Sequence, residues 1–345
     1  MIRVCKTVGT LPTKTSKSRI TRFYKCLLCT ASAYGIELNL ARVDDFNFND
    51  YTVNGLFFQN GEFVRKKISI APIIDNTTPL SPSMVKSLKD YYIMRYRFGF
   101  TKPQQFELIE KNDKLRYLLI PTREINNILD LHMALDEFGG EILIKPIDGK
   151  KGDSIYTINY KGRFQLKSNE AIKSFDNKEN FNNYFSSTMK RNYIAQRLVA
   201  SKTEKEQPFD VRIHVIRIGH SNWFVHNYIR LGGEQKITSN ISTGGYVLPA
   251  EWFLNENFGT VLSDEIRKEL QFIAYELSSY YQKHVSFPII DLGIDVGIEK
   301  INGSYSIKLF EINACPGYRF ENVFEAVIEL MKSYQFIDEM LLSNS

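Results

Sequence analysis

The rhythm of apolar and polar positions changes along this chain. Between residues 19 and 34, Ile20, Phe23, Tyr24, Leu27 and Leu28 return at intervals of three and four, the spacing of a helix with one apolar face. Gly35 offers that helix a stop, and residues 36–40 then alternate as a strand. Leu56-Phe57-Phe58, Asn60-Gly61 and Phe63-Val64 predict a hairpin, because Asn-Gly supplies the left-handed conformations of a tight turn. Residues 68–74 predict another strand, and residues 81–97 a helix with Pro82 near its start.

Beyond about residue 100 the pattern shifts. Residues 123–138 predict an amphipathic helix ending at Gly139-Gly140. Strands follow at 141–146 and 155–158 with a glycine-containing loop between them, then a helix at 178–189 and a strand at 193–196. Longer strands are predicted at 210–218 and 223–231. Leu262, Ile266, Leu270, Ile273 and Leu277 mark one face of a helix over 263–281. Strands at 289–299 and 304–313 flank Asn302-Gly303, a second hairpin signal, and a final helix covers 321–334. No internal repeat or low-complexity block interrupts this mixed α/β (α+β) order.

Composition narrows the class. A chain of 345 residues that is 43% hydrophobic can build two or three packed units. Its net charge of +5 favours anions such as phosphates without demanding nucleic acid. No apolar run reaches the ~18 residues of a membrane span, and the polar N-terminal stretch lacks a secretory apolar segment. The expected location is cytoplasmic, with no membrane partner. Cys26 and Cys29 form a lone C-x-x-C in an apolar stretch; with no second pair to complete a zinc site, they read as core thiols.

Six features carry candidate chemistry. Asp295 lies on one closing strand, with Glu311 and Asn313 on the other. Odd positions of the last strand, Leu309, Glu311 and Asn313, are expected on one face. Two carboxylates and an amide oxygen make a hard-cation site suited to magnesium; the alternative is a solvated sheet face with Asn313 opening a turn. Lys145 ends a strand before Gly149, Lys150, Lys151, Gly152 and Ser154, a basic glycine loop that lacks the P-loop spacing and by itself fits an ordinary hairpin tip better. Lys114 lies upstream. Residues 193–199 form an apolar strand whose end could meet a purine edge, or a plain core strand. Asp210, Arg212 and Arg230 suit a transferring phosphoryl group, or internal ion pairs. Residues 239–245, with Asn240 and Gly244-Gly245, form a small-residue loop.

In this order the blocks Ile144-Lys145-Pro146, Phe209-Asp210-Val211-Arg212, Asn240 with Gly244-Gly245, and Glu311-Ile312-Asn313 before Pro316-Gly317 resemble the ATP-grasp superfamily. The likeness covers about residues 105–320. It is nearest the spore-coat-associated branch and looser to the ribosomal-protein glutamate ligases. It implies two α+β subdomains clamping ATP, at 101–198 and 199–345, behind an N-terminal α/β pre-ATP-grasp domain at 1–100. By that resemblance Lys114 and Lys145 reach the nucleotide phosphates, and Gly149, Lys151, Gly152 and Ser154 belong to the loop closing over them. The backbone of Gln196, Arg197 and Leu198 meets adenine, and Asp210 holds the ribose. Asp295, Glu311 and Asn313 bind Mg2+, with Mn2+ as a substitute. Arg212, Arg230 and Asn240 lie by the γ-phosphate and the acceptor.

Two positions depart from that pattern. Thr243 stands where relatives carry a basic residue before the glycine pair, and Ile290-Asp291-Leu292 lacks the arginine of many peptide ligases, for which Arg230 is the candidate substitute. The implied activity is ATP-dependent ligation of a carboxylate to an amine through an acyl phosphate. A phosphotransferase and a non-catalytic ATP-binding coat protein are the alternatives. The carboxylate could belong to a small molecule, a peptide or a glycan, and a homodimer is the default assembly.

Overall fold

The computed structural model describes residues 1–9, 11, 22–94, 102–147, 154–188, 192–234, 236–239, 244–285, 287–313, 316–317 and 323–343. The first unit contains β1 (Ile2–Thr7), α1 (Arg22–Ala33), β2 (Ile36–Ala41), β3 (Phe46–Asn47), β4 (Thr52–Gln59), β5 (Glu62–Ser69), β6 (Ile73–Asp75), α2 (Pro82–Ser87) and β7 (Tyr92–Met94). Its sheet runs β3-β4-β2-β1-β6-β7, with β5 paired to β4. The four strands β2, β1, β6 and β7 are parallel. Asn60 and Gly61 both take positive φ, so the β4–β5 turn forms as expected.

Three local expectations are corrected here. Residues 68–74 do not form one strand: β5 ends at Ser69, and beyond Pro72 the chain joins β1 as β6. Proline at the junction cannot donate to a ladder, which favours the break. The predicted helix over 81–97 closes after Ser87. Tyr92–Met94 instead pairs parallel with β6, because those residues cover an otherwise open edge. Residues 95–100 lie outside the described residues. Cys29 is exposed on α1 and is not a core thiol, since Leu27, Leu28 and Ala31 take the inward face; Cys26 is half-buried and packs against the edge of that core.

α3 (Lys102–Glu110) follows the first unit but packs Ile109 into the core of the third, so the small lobe begins later than residue 101. The second unit holds β8 (Thr122–Ile125), α4 (Ile128–Glu137), β9 (Glu141–Pro146), β10 (Tyr156–Tyr160), β11 (Phe164–Lys167), β12 (Ile172–Phe175), α5 (Lys178–Thr188) and β13 (Tyr193–Arg197). From β8 to β13 it is an antiparallel sheet in the order β12-β11-β10-β9-β13-β8, the small lobe. The helix expected from residue 123 begins only at 128. Asn127 caps it, accepting from Leu129 and Asp130 N–H at 2.8 and 3.1 Å, while Asp130 accepts from the Asn127 N–H. That reciprocal cap frees residues 122–125 to pair with β13.

The third unit, the large lobe, contains β14 (Phe209–Arg217), β15 (Trp223–Leu231), β16 (Tyr246–Pro249), α6 (Ala250–Phe258), α7 (Thr260–Gln282), β17 (Asp291–Ile301) and β18 (Ser304–Asn313). Its antiparallel sheet runs β16-β15-β14-β17-β18. One face carries Val211, Ile213 and Val215 of β14 and Leu292, Ile294 and Val296 of β17. It packs against Ile266, Leu270, Ile273 and Leu277 of α7. Burying each such side chain is worth about 1.5–3 kcal/mol, so this contact fixes which residues must occupy the opposite face.

The last helix, α8 (Val323–Ser343), leaves that lobe. Val327, Leu330, Met331, Tyr334 and Ile337 enter the core of the first unit beside Val4, Leu27, Leu38 and Leu40. At the carboxyl ends of β1 and β6, Lys6 is fully buried against Asp75 at 2.7 Å and Thr77 at 2.6 Å. Tyr334 donates its hydroxyl to the same Asp75 carboxylate at 2.6 Å.

Candidate active site

The face of the large-lobe sheet turned away from α7 borders a cavity of about 1250 Å³ shared with the small lobe. Alternation delivers Asp210 and Arg212 from β14, Arg230 from β15, and Asp295 from β17. Glycines two positions either side of Asp295 clear the space around it. A Cβ on Gly293 would stand 2.9 Å from the Arg212 guanidinium, and one on Gly297 would stand 2.2 Å from the Phe310 ring.

The last strand corrects a simple alternation. Leu309 faces the α7 core, not the side of Glu311. The β17–β18 register shifts between Asp295 and Val296: Glu311 pairs with Asp295 but Leu309 with Val296, leaving Phe310 as the extra residue. This bulge lets Phe310, Glu311 and Asn313 all line the cavity while Ile312 returns to the core.

Charge on this face is paired. Arg212 grips Asp295 through Nε and, at 2.9 Å, through Nη2. Arg230 bonds Asp210 at 2.6 and 2.8 Å and reaches Asp295 at 2.8 Å. Ser239 donates to Asp210, and the Asn313 amide nitrogen lies 3.4 Å from Asp295. Burial disfavours the charge of Asp295, but Arg230 and Arg212 outweigh it and hold the carboxyl below its ordinary range. Asp210 is pushed upward by burial, and the neighbouring Asp295 charge adds to that against the pull of Arg230. Burial also opposes the charge of Arg230, yet its two carboxylates raise its pKa.

Lys145, at the end of β9, faces this network across the cavity as a lining residue, and Gln196, Arg197 and Leu198 line the hinge side. Gln196 donates to Thr122 at 2.9 Å. Arg197 forks onto Glu299 at 3.1 and 2.8 Å, and the Ala200 N–H donates to the same carboxylate at 2.7 Å. Glu299 thus ties the crossing between lobes to β17.

Some expected residues fall elsewhere. Lys114 does not line the cavity; it pairs with Glu276 of α7 at 3.2 Å on the surface, because its loop packs beside that helix. The Asp210 carboxylate is committed to Arg230 and Ser239, a different environment from a ribose contact. Ser154 adopts φ of 58° and is not among the lining residues. Gly149, Lys151, Gly152 and Asn240 lie outside the described residues. Phe310, Ser239 and Glu299 were not anticipated. The glycines at 293 and 297, spaced by two about Asp295, were the available sign that bulky groups cross that strand.

Farther along the same face, His214 meets Asp291 at 2.7 Å, and His226 stacks on Phe224 and lies beside Tyr228. Burial, with the nearby His214, pushes His226 down to about 4.

Among the described residues no three His, Cys, Asp or Glu side chains group as a metal site. Glu311, Asn313 and Asp295 nonetheless form a mixed oxygen set on one cavity wall. The donor chemistry suits a hard cation that takes its remaining ligands from phosphate and water. Asp295, already held by two guanidiniums, is the least available of the three.

A family model described as YheC/D-like ATP-grasp matches residues 92–336. The chain belongs to the YheC/D-like ATP-grasp family. Its fold is that of the ATP-grasp ligases. The ligase PsnB, complexed with a minimal precursor, Mg and ADP, superposes with a TM-score of 0.52 at 12% identity; the match covers 96% of this chain and 98% of that one. N5-carboxyaminoimidazole synthetase from Staphylococcus aureus, complexed with ADP, gives 0.51 at 14% identity, covering 96% of this chain and 77% of that one. Comparison with curated proteins finds no match. No described helix of this family member is long and apolar enough to cross a membrane.

Proposed function

We propose that the chain is an ADP-forming carboxylate–amine ligase. The observation that carries this reading is the shared cavity, with Lys145 on one wall and Arg212, Arg230, Glu311 and Asn313 on the other. Its volume exceeds the roughly 300–1,000 Å³ of a typical single-ligand site, leaving room for ATP and an acceptor. Family membership supports ATP as the phosphoryl donor.

In the proposed reaction a carboxylate oxygen attacks the γ-phosphorus and the bond to the ADP oxygen breaks, giving an acyl phosphate. An amine then attacks the acyl carbon, phosphate leaves with the former carboxylate oxygen, and the amine releases a proton. Lys145, Arg212 and Arg230 supply positive charge where phosphoryl oxygens gather. Glu311 and Asn313, with Asp295 behind them, would hold magnesium; when bound, it neutralises charge on the β- and γ-phosphate oxygens. Asp295 also keeps the two guanidiniums fixed, so they need not reorganise during transfer. Phe310 provides an apolar surface in the same cavity, a candidate to pack on adenine.

The test uses Mg·ATP with panels of carboxylates and amines. ADP release that needs both, with heavy oxygen passing from a labelled carboxylate into phosphate, supports the ligase. ADP release with a hydroxyl acceptor alone replaces it with phosphotransfer. Nucleotide binding without turnover across the panels replaces it with a structural role.

A further inference from the structure

Away from the hinge crossing, a side chain that no motif marks bridges the two lobes. Asn169 sits in the turn between β11 and β12 of the small lobe. Its side-chain oxygen accepts from the backbone N–H groups of Ile237 and Thr238 at 2.9 and 3.2 Å. Its amide nitrogen donates to the Thr238 hydroxyl at 2.7 Å, and Lys236 donates to its main-chain carbonyl at 2.8 Å. The turn presenting it is itself braced: the Ser168 hydroxyl accepts from Glu170 and Ala171 N–H at 3.1 and 3.0 Å.

The segment it grips leads to the cavity. Ser239, next after Thr238, donates to Asp210, and Asp210 holds Arg230 through two bonds. Gly232 lies close beneath, where a Cβ would stand 2.5 Å from the Thr238 carbonyl oxygen. One small-lobe side chain therefore satisfies three polar groups of the large lobe, one residue away from the network that sets the Arg230 guanidinium.

We propose that Asn169 is a positioning residue that couples the approach of the small lobe to the placement of Arg230. The proposal rests on the ATP reading for what Arg230 faces. When the lobes separate, the Ile237 and Thr238 N–H groups turn to water, and Ser239 loses the bracing of its neighbours. When they approach, the fork of Asn169 restores both. A ligand spanning the lobes thus sets the arginine without touching it, and the coupling is carried by hydrogen bonds rather than by apolar packing.

The experiment compares wild type, Asn169→Ala and Asn169→Asp with Mg·AMPPNP as the probe. It reads affinity by calorimetry, amide exchange over residues 236–239, and the Arg230 Nε–H resonance. In wild type the nucleotide slows exchange about tenfold and sharpens the resonance. Asn169→Ala weakens affinity about fivefold or more, because the coupling is reciprocal, and at saturating nucleotide it still loses both responses. Asn169→Asp recovers them, because a carboxylate accepts both N–H groups and the Thr238 hydroxyl can turn to donate. Nucleotide responses in Asn169→Ala equal to wild type overturn the positioning role alone. So does failure of Asn169→Asp to recover what Asn169→Ala loses. Absence of Mg·AMPPNP binding to wild type sinks the nucleotide site and the proposal with it.

Discussion

Two buried charge clusters in this molecule have opposite characters. At the ends of β1 and β6, the Lys6 ammonium meets the Asp75 carboxylate, and Tyr334 and Thr77 bond to the pair deep in the first unit's core. On the large-lobe sheet, two guanidiniums share two carboxylates along the wall of a cavity. The first arrangement joins three elements distant in sequence. The second sets two paired guanidiniums on the wall of a space that a polyanion can enter, with Lys145 among the lining residues. Burial alone does not distinguish them, since Lys6, Asp75, Asp210 and Asp295 are all almost fully covered. Access to the cavity does.

The largest separation should come from charge removal in the closed cluster. Lys6→Met removes the ammonium 2.7 Å from the buried Asp75 carboxylate and should cost about 3–5 kcal/mol of stability by denaturant unfolding. Replacing Lys6, Asp75 and Tyr334 together by Met, Leu and Phe should recover most of that loss. If the triple variant is no more stable than the single one, the cluster is not merely architectural. In the cavity, Glu311→Ala should reduce ADP formation at least about a hundredfold, roughly 2.7–4 kcal/mol of barrier, with little change in melting temperature. Unaltered turnover would remove Glu311 from the proposed metal set.

A smaller effect tests the bulge. Gly297→Ala pushes a methyl into the Phe310 ring and should cost about 1–3 kcal/mol, read as a lower melting temperature together with weaker nucleotide binding. Normal affinity in that variant would separate Phe310 from the base site. The mildest is a pH effect. Unfolded His226 takes a proton near 6.5, whereas the folded ring resists until about 4. Stability should therefore fall as pH drops through that window. The Glu325 carboxylate lies 3.8 Å from the ring, and the nearby His214 further disfavours the charged form of His226. His226→Phe should flatten the profile; an unchanged slope assigns the loss to another group.

These contrasts also explain what could be read in advance. The strands at 141–146, 223–231 and 304–313 were legible because apolar alternation and a turn signal agreed there. Residues 122–125 were not, because an apolar pattern that continues into α4 hides a cap at Asn127. The order Lys145, Asp210-x-Arg212, Glu311-x-Asn313 pointed to one cavity wall and its opposite side. It could not show which arginine holds which carboxylate, since strand pairing sets that: Asp210 faces Arg230 and Arg212 faces Asp295 across neighbouring strands. Asn169 was silent because its partners are mainly backbone groups of a loop far along the chain, and these leave no residue pattern.

The path of α8 has a consequence for biogenesis. During synthesis, β1 and α1 emerge long before the helix that seals their apolar faces, which is made only after both lobes that border the cavity. Until then Leu27, Leu38 and Leu40 lack their cover, and the Lys6–Asp75 pair lacks its tyrosine. A ribosome stalled before residue 323 would hold a chain in which β1, α1 and β2 still lack the helix that covers them.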